Sequence, residues 1–184
     1  MPNCHADGAQ ALNCEETVRI YDGLSIPLGT LRFLKQADCQ LAFLAILTIS
    51  GIKPASRWEK ALDATLIDCL RRLGLHVSQV RRTVANGAQV TETLFSKSHA
   101  YVEVYVSRWD GMPLDKAPET VQLEGFLFGY PPCCVEEYIT NPYTPNDIDP
   151  AQQARLFHWA CKGCRITPLL LPVYGRLELI LESL

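Results

Sequence analysis

The dipeptide Asn86-Gly87 is the feature that most restricts the folds open to this chain. It lies between two β-prone runs, residues 75–85 and 88–95. An Asn-Gly pair between such runs is the strongest short-range signal for a β-hairpin. The sequence therefore predicts that these two runs pair as antiparallel strands.

A third β-prone run follows at residues 101–108, where apolar and polar side chains alternate. Val102, Val104 and Val106 would share one side of an extended chain, which is typical of a strand with one buried face. With the hairpin before it, this run predicts an antiparallel meander over residues 75–108.

The chain before the meander is predicted to hold a short hairpin and two helices. An Asp-Gly pair at residues 22–23 between short apolar runs predicts the hairpin. Residues 30–50 read as one helix that becomes apolar on all sides, which indicates a buried helix. Ser56 and Glu59 match a capping box before a helix predicted to run to residue 73.

Two single cysteines lie within these predicted helices. Cys69 falls on the apolar stripe of the second helix and Cys39 in the middle of the first. A lone cysteine on an apolar face behaves as a small hydrophobic residue. Both are therefore predicted to be core residues.

The last third of the chain is predicted to be helical, with helices from residue 119 to Gly129, over residues 132–140, from Asp149-Pro150 and over residues 167–184. We therefore expect an α+β fold, an antiparallel β-meander packed with helices and followed by a helical, cysteine-rich C-terminal third. The length favours a single domain over residues 1–184. Within it we expect a loose N-terminal arm (1–16), an α+β core (17–128) and a helical cysteine-rich region (129–184).

Half of the eight cysteines lie in two tight pairs, Cys133-Cys134 and Cys161-x-x-Cys164, separated by 26 residues. The first pair follows two prolines that suit a helix start, where unpaired N–H groups favour thiolate. In the second pair Gly163 allows a tight turn, so that both sulfur atoms can face one ion. The two pairs together predict a metal or thiol site.

The candidate ligands are Cys133, Cys134, Cys161 and Cys164, with His158 as a reserve ligand or a partner behind them. Because adjacent helical residues point about 100° apart, an iron–sulfur cubane suits Cys133-Cys134 better than one zinc ion does. A zinc site could instead use one of these two cysteines with His158, Cys161 and Cys164.

Three other interpretations stay open. The four cysteines could pack as small hydrophobic residues. The protein could be a thiol enzyme with Cys133 or Cys134 as the nucleophile, activated at a helix N-terminus. It could also be an interaction module with a purely structural zinc site. The sequence leaves open whether the protein is an enzyme.

The stretch Gly129-Tyr-Pro-Pro-Cys-Cys-Val135 carries a resemblance. It is similar to the Gly-[Tyr/Phe]-Pro-x-Cys-Cys-Val signature of an uncharacterised family of small prokaryotic proteins, over about residues 70 to 140. The resemblance implies that Gly129, Tyr130 and Pro131 belong to a defined site together with the adjacent cysteine pair. It implies no activity, and it does not extend to Cys4, His5 or Cys14.

Charge and apolar content indicate which partners and which cellular compartment to expect. The chain has 17 Lys and Arg against 20 Asp and Glu, a net charge of −3 that argues against a general nucleic-acid binder. Residues 1–10 show no secretory pattern, and the longest apolar run, 41–47, is too short to span a bilayer. We therefore expect a cytoplasmic protein with reduced cysteines and no membrane partner. Its partner would be a small molecule or another protein.

Overall fold

The computed structural model describes residues 17–19 and 25–184. Two predictions lie outside the described residues: the loose arm over residues 1–16 and the Asp-Gly turn at residues 22–23. The strands on either side of that turn are described, and they pair antiparallel.

The described residues form five strands and eight helices, in the order β1 (Thr17–Arg19), β2 (Ser25–Pro27), α1 (Leu28–Ala37), α2 (Cys39–Ile49), β3 (Ala55–Trp58), α3 (Ala64–Arg72), β4 (His76–Thr83), β5 (Gln89–Ser96), α4 (His99–Trp109), α5 (Pro118–Leu127), α6 (Pro132–Thr140), α7 (Pro150–Gln153) and α8 (Thr167–Glu182). None of these helices has the length and apolar character needed to cross a membrane. The predicted α+β class is confirmed.

The hairpin predicted around Asn86-Gly87 is present as β4 and β5. Gly87 adopts a φ of +83°, which a residue with a side chain resists. Its N–H donates to the Val84 carbonyl at 2.8 Å, and the Asn86 side chain accepts from the Ala88 N–H at 2.9 Å. Local side-chain and backbone chemistry therefore sets this turn.

Helices cover both faces of the three-stranded antiparallel sheet, whose strand order is β3-β5-β4. Neighbouring side chains of a strand point to opposite faces. Phe95 accordingly packs with α1, α2, α3 and α8, whereas Leu94 packs with α4 and α5. The sheet thus separates two apolar cores.

The strand predicted over residues 101–108 is wrong, because this run forms the helix α4. Val102, Tyr105 and Trp109 are spaced as one face of a helix and are buried against the sheet. Val104, which the alternating pattern placed in the core, is 41% exposed. Burial of two aromatic rings on one helical face outweighs the weaker β-propensity of the valines.

The third strand is β3, in a segment where a helix was predicted to begin, and that prediction is also wrong. Ser56 is fully buried and its hydroxyl lies 2.8 Å from that of Thr48, so it does not cap a helix. The helix α3 begins later, where the Asp63 side chain accepts from the Leu66 N–H at 2.9 Å. Pairing with β5 satisfies the backbone of this segment better than an isolated capping box does.

The single helix predicted over residues 30–50 is two helices, α1 and α2, separated by Asp38. The Asp38 side chain accepts from the N–H groups of Gln40 and Leu41 and so caps α2. Cys39 therefore lies in an exposed first turn, and its predicted core position is wrong. Cys69 is buried, as predicted.

The predicted helices of the C-terminal third are present and place the two cysteine pairs. The helix α6 covers residues 132–140 as predicted and packs against α5. A Cβ atom at Gly125 of α5 would overlap the Val135 side chain, so only glycine permits this close approach. Asp149 caps α7 as predicted, but α7 ends at Gln153 and does not reach His158.

Candidate metal centre

The first cysteine pair lies in the first turn of α6, directly after Pro131 and Pro132. Cys134 is 2% exposed and points inward, whereas Cys133 is at the surface. Although the two residues are adjacent on a helix, both sulfur atoms reach the second pair. Cys133 Sγ lies 3.7 Å from Cys164 Sγ, and Cys134 Sγ lies 3.7 Å from Cys161 Sγ.

The second pair forms a tight turn before α8. The Cys164 N–H donates to the Cys161 carbonyl at 3.2 Å, and Gly163 takes a φ of +68°. This places Cys164 Sγ 3.4 Å from Cys134 Sγ. The turn that the Cys-x-x-Cys spacing predicted is therefore present.

All four sulfur atoms lie within 4.8 Å of one another, and all four cysteines are free thiols. Three of them are buried and Cys133 is exposed. Four thiol groups at this spacing can hold a metal ion. The structure thus brings together the four cysteines that the sequence singled out.

Backbone amides and one hydroxyl surround the buried sulfur atoms. The Cys161 N–H donates to Cys134 Sγ at 3.4 Å, and the Thr167 N–H donates to Cys164 Sγ at 3.3 Å. The Thr167 hydroxyl lies 3.2 Å from Cys164 Sγ and 3.8 Å from Cys134 Sγ. Such donors stabilise negative charge on thiolates. The sequence reasoning missed Thr167, whose only signal is its place three residues after Cys164.

His158 lies behind this group and not within it. Its Nε2 is 3.0 Å from the Thr167 hydroxyl, so it reaches the sulfur atoms only through that residue. Burial, with a smaller contribution from the Lys53 charge, lowers the pKa of His158 to about 4, and the imidazole is neutral near pH 7. Its Nδ1 is buried and has no hydrogen-bond partner among the described residues.

The pKa values of the three buried thiols differ from what a helix N-terminus alone predicts. Burial raises the pKa of Cys134 to about 11 and raises that of Cys161 further. Burial also acts against ionisation of Cys164, but hydrogen bonds from the Thr167 hydroxyl and from the backbone of Thr167 and Ile166 outweigh it and lower its pKa to about 7. Among Cys134, Cys161 and Cys164, the pKa is lowest for Cys164, which lies outside the helix start.

Gly129 and Tyr130, which the resemblance included, connect the centre to the core. Gly129 has a φ of +68°, and a Cβ atom there would collide with Pro54. The Tyr130 ring contacts both His158, with centroids 5.4 Å apart, and Lys53, whose Nζ is 4.7 Å from the ring centroid. Both residues therefore have structural reasons for their identity.

A cavity of about 1010 Å³ opens beside the cysteine group. Cys134, Tyr130 and His158 line it on one side, and aromatic side chains from α6 and the following loop line another. The sequence reasoning did not find this cavity, because its walls come from segments more than a hundred residues apart.

Comparison of the chain with protein-family models, curated proteins and solved structures gave no match. The resemblance carried by residues 129–135 therefore stays a prediction.

Proposed function

We propose that the protein binds one Zn²⁺ ion through Cys133, Cys134, Cys161 and Cys164. The spacing of the sulfur atoms supports this proposal most directly. Four thiolates at about 2.3 Å from a tetrahedral Zn²⁺ lie about 3.8 Å from one another. Three of the Sγ–Sγ separations are 3.4, 3.7 and 3.7 Å.

The same spacing favours a single ion over the iron–sulfur cubane suggested by the adjacent cysteines. A cubane binds each thiolate to a different iron atom, so the sulfur ligands stand farther from the centre and from one another. Here all four lie within 4.8 Å. The turn at Cys161 and Cys164 places Cys164 Sγ next to Cys133 Sγ and Cys161 Sγ next to Cys134 Sγ.

The role we propose for this ion is structural. Four thiolates occupy all four tetrahedral positions and leave none for water or substrate, which is the pattern of structural zinc sites. The ion would join the start of α6 to the loop before α8, two segments separated by 26 residues. It would thereby hold one wall of the adjacent cavity.

Metal analysis of protein purified without oxygen tests this proposal. We expect colourless protein with one zinc per chain, and a coloured tetrahedral thiolate complex when Co²⁺ replaces it. Serine at Cys134 or Cys164 should reduce bound metal, because an alcohol is a poor replacement for thiolate. Serine at the buried Cys69, which is outside the site, should leave the metal content unchanged.

His158 provides the second control. In the alternative zinc site, His158 replaces one of the two adjacent cysteines as a ligand, and His158→Ala would lose the ion. We expect His158→Ala to keep the ion. Brown protein with iron and labile sulfide would contradict the single-ion proposal. Protein that takes up no metal with all thiols reduced would leave the four cysteines as packed hydrophobic residues.

A further inference from the structure

The four cysteines of the metal centre differ in their access to solvent. Cys133 is exposed, whereas Cys134, Cys161 and Cys164 are at most 9% exposed. The contact between Cys133 Sγ and Cys164 Sγ is only partly buried, and both sulfur contacts of Cys134 with the second pair are fully buried. A reagent that arrives from solvent therefore meets Cys133 first.

A thiol that can form a disulfide with Cys133 lies beside it. Cys133 Sγ is 3.7 Å from Cys164 Sγ, and both cysteines are free thiols. A disulfide bond is about 2.05 Å long, so these two sulfur atoms would have to approach by about 1.7 Å. The adjacent Cys134 is a poor partner, because Cα atoms of neighbouring residues are about 3.8 Å apart and disulfides usually need at least about 4.4 Å.

We propose that Cys133 is a site of oxidation by hydroperoxides, and that Cys164 then forms a disulfide with it and so releases the metal ion. This inference rests on the zinc site proposed above and adds a means of regulating it. The oxidant is a hydroperoxide from solvent, with hydrogen peroxide as the simplest member of the class.

The oxidation takes two steps. In the first, the Cys133 thiolate attacks one oxygen of hydrogen peroxide, the O–O bond breaks, a sulfenic acid forms and hydroxide leaves. In the second, the Cys164 thiolate attacks Cys133 Sγ, the S–O bond breaks, the S–S bond forms and a second hydroxide leaves. The two thiolates lose two electrons and the peroxide gains them. Two protons from solvent convert the two hydroxides to water.

Formation of this disulfide would remove two of the four metal ligands. Because the thiolate is the form of cysteine that binds metal, only Cys134 and Cys161 would remain as ligands, and a structural Zn²⁺ needs four. The disulfide would still join the start of α6 to the turn before α8. Cys134 lines the cavity, so oxidation would turn a metal-bound thiolate there into a free thiol.

Peroxide treatment of the metal-loaded protein, followed by peptide mapping, tests this inference. Trypsin cleaves after Lys162 and therefore separates Cys161 from Cys164. We expect zinc to be released in step with one new disulfide, which joins the tryptic peptide 117–155 to the peptide 163–165. Fragmentation between the two adjacent cysteines of the longer peptide should show that Cys133 is the linked one.

Other products would overturn the assignment. A disulfide from Cys134, or one that joins the peptide 156–162 through Cys161, would place the oxidation elsewhere. The exposed Cys39 provides an internal reference for the dose of peroxide. Zinc that stays bound after Cys39 has been fully oxidised would refute the release of the ion.

Two variants isolate the contribution of Cys133. Cys133→His keeps a zinc ligand but cannot form a disulfide, so peroxide should release its zinc about tenfold more slowly. Cys39→Ser is the matched control, because Cys39 is the other exposed cysteine among the described residues and lies outside the site. It should release zinc at an unchanged rate. Equal release rates in Cys133→His and the unchanged protein would refute the role of Cys133.

The zinc content before peroxide is added keeps the two proposals apart. Protein that carries zinc but forms no disulfide between Cys133 and Cys164 refutes the oxidation proposal alone. Protein that carries no zinc when purified refutes the metal proposal and with it the release of the ion, whereas the peptide map still decides whether Cys133 is the site of oxidation.

Discussion

Removing the ion from the four-cysteine site should lower the melting temperature of the protein by about 7 to 14 °C. The proposed ion would link Cys134 to Cys161 and so close a loop that spans 27 residues along the chain. A cross-link of that length restricts the unfolded chain by about 3.5 kcal/mol in the chain-entropy treatment used for disulfides. For a chain of this size, each kcal/mol shifts the melting temperature by about 2 to 4 °C.

The loss should also be local. Residues 130–170 contain the start of α6 and the turn before α8, which the proposed ion would hold together. After metal removal, the amide hydrogens of residues 130–170 should be the first to exchange faster. Those of β4 and β5 should keep their protection because the sheet lies between two apolar cores.

The assay is a thermal melt and hydrogen exchange on the loaded protein and on protein freed of metal by a chelator under reducing conditions. Cys69→Ser, treated in the same way, is the control, because it lowers stability without touching the site. Elemental analysis first confirms that all metal has been removed. If melting temperature and hydrogen exchange are then unchanged, the reasoning is refuted.

Three further predictions concern the fold. Gly87→Val should lower the free energy of unfolding by more than about 1 kcal/mol in urea titration, because a β-branched residue resists a φ of +83°; an unchanged midpoint would contradict this. Gly125→Ala should cost about 1 to 2 kcal/mol because its Cβ overlaps Val135, and the double variant with Val135→Ala should recover most of it; additive losses would show that the two do not meet. Burial lowers the pKa of Lys53 to about 7 from 10.5, so the unfolded state binds more protons between these pH values and stability should rise with pH there. Lys53→Met should flatten that rise, and an identical pH profile in the variant would count against the buried amine.

Where a segment's structure depends on its own side chains and backbone, the sequence predicted it. Asn86-Gly87 marked a hairpin because the turn satisfies its own hydrogen bonds and needs one glycine. Pro132 marked the start of α6, and Asp149 capped α7 with its own carboxylate. The two cysteine pairs were likewise visible as a candidate site from their spacing.

Where a segment's sequence fitted two kinds of secondary structure, packing against the rest of the fold determined which one formed. Residues 101–108 suit a strand by alternation and a helix by the spacing of Val102, Tyr105 and Trp109, and the buried aromatic side chains settled the choice. Ser56 resembled a helix cap, but its segment pairs along one side with β5 as an edge strand.

The details of the site depended on contacts between distant segments. Spacing along the chain placed His158 near Cys161 but could not show that Thr167 stands between the imidazole and the sulfur atoms. Nor could it show how far apart the four sulfur atoms lie, which is the quantity on which our proposal of a single ion rests. These distances arise only when α6, the Cys161 turn and α8 pack together, because no local interaction within any one of them sets the position of the others.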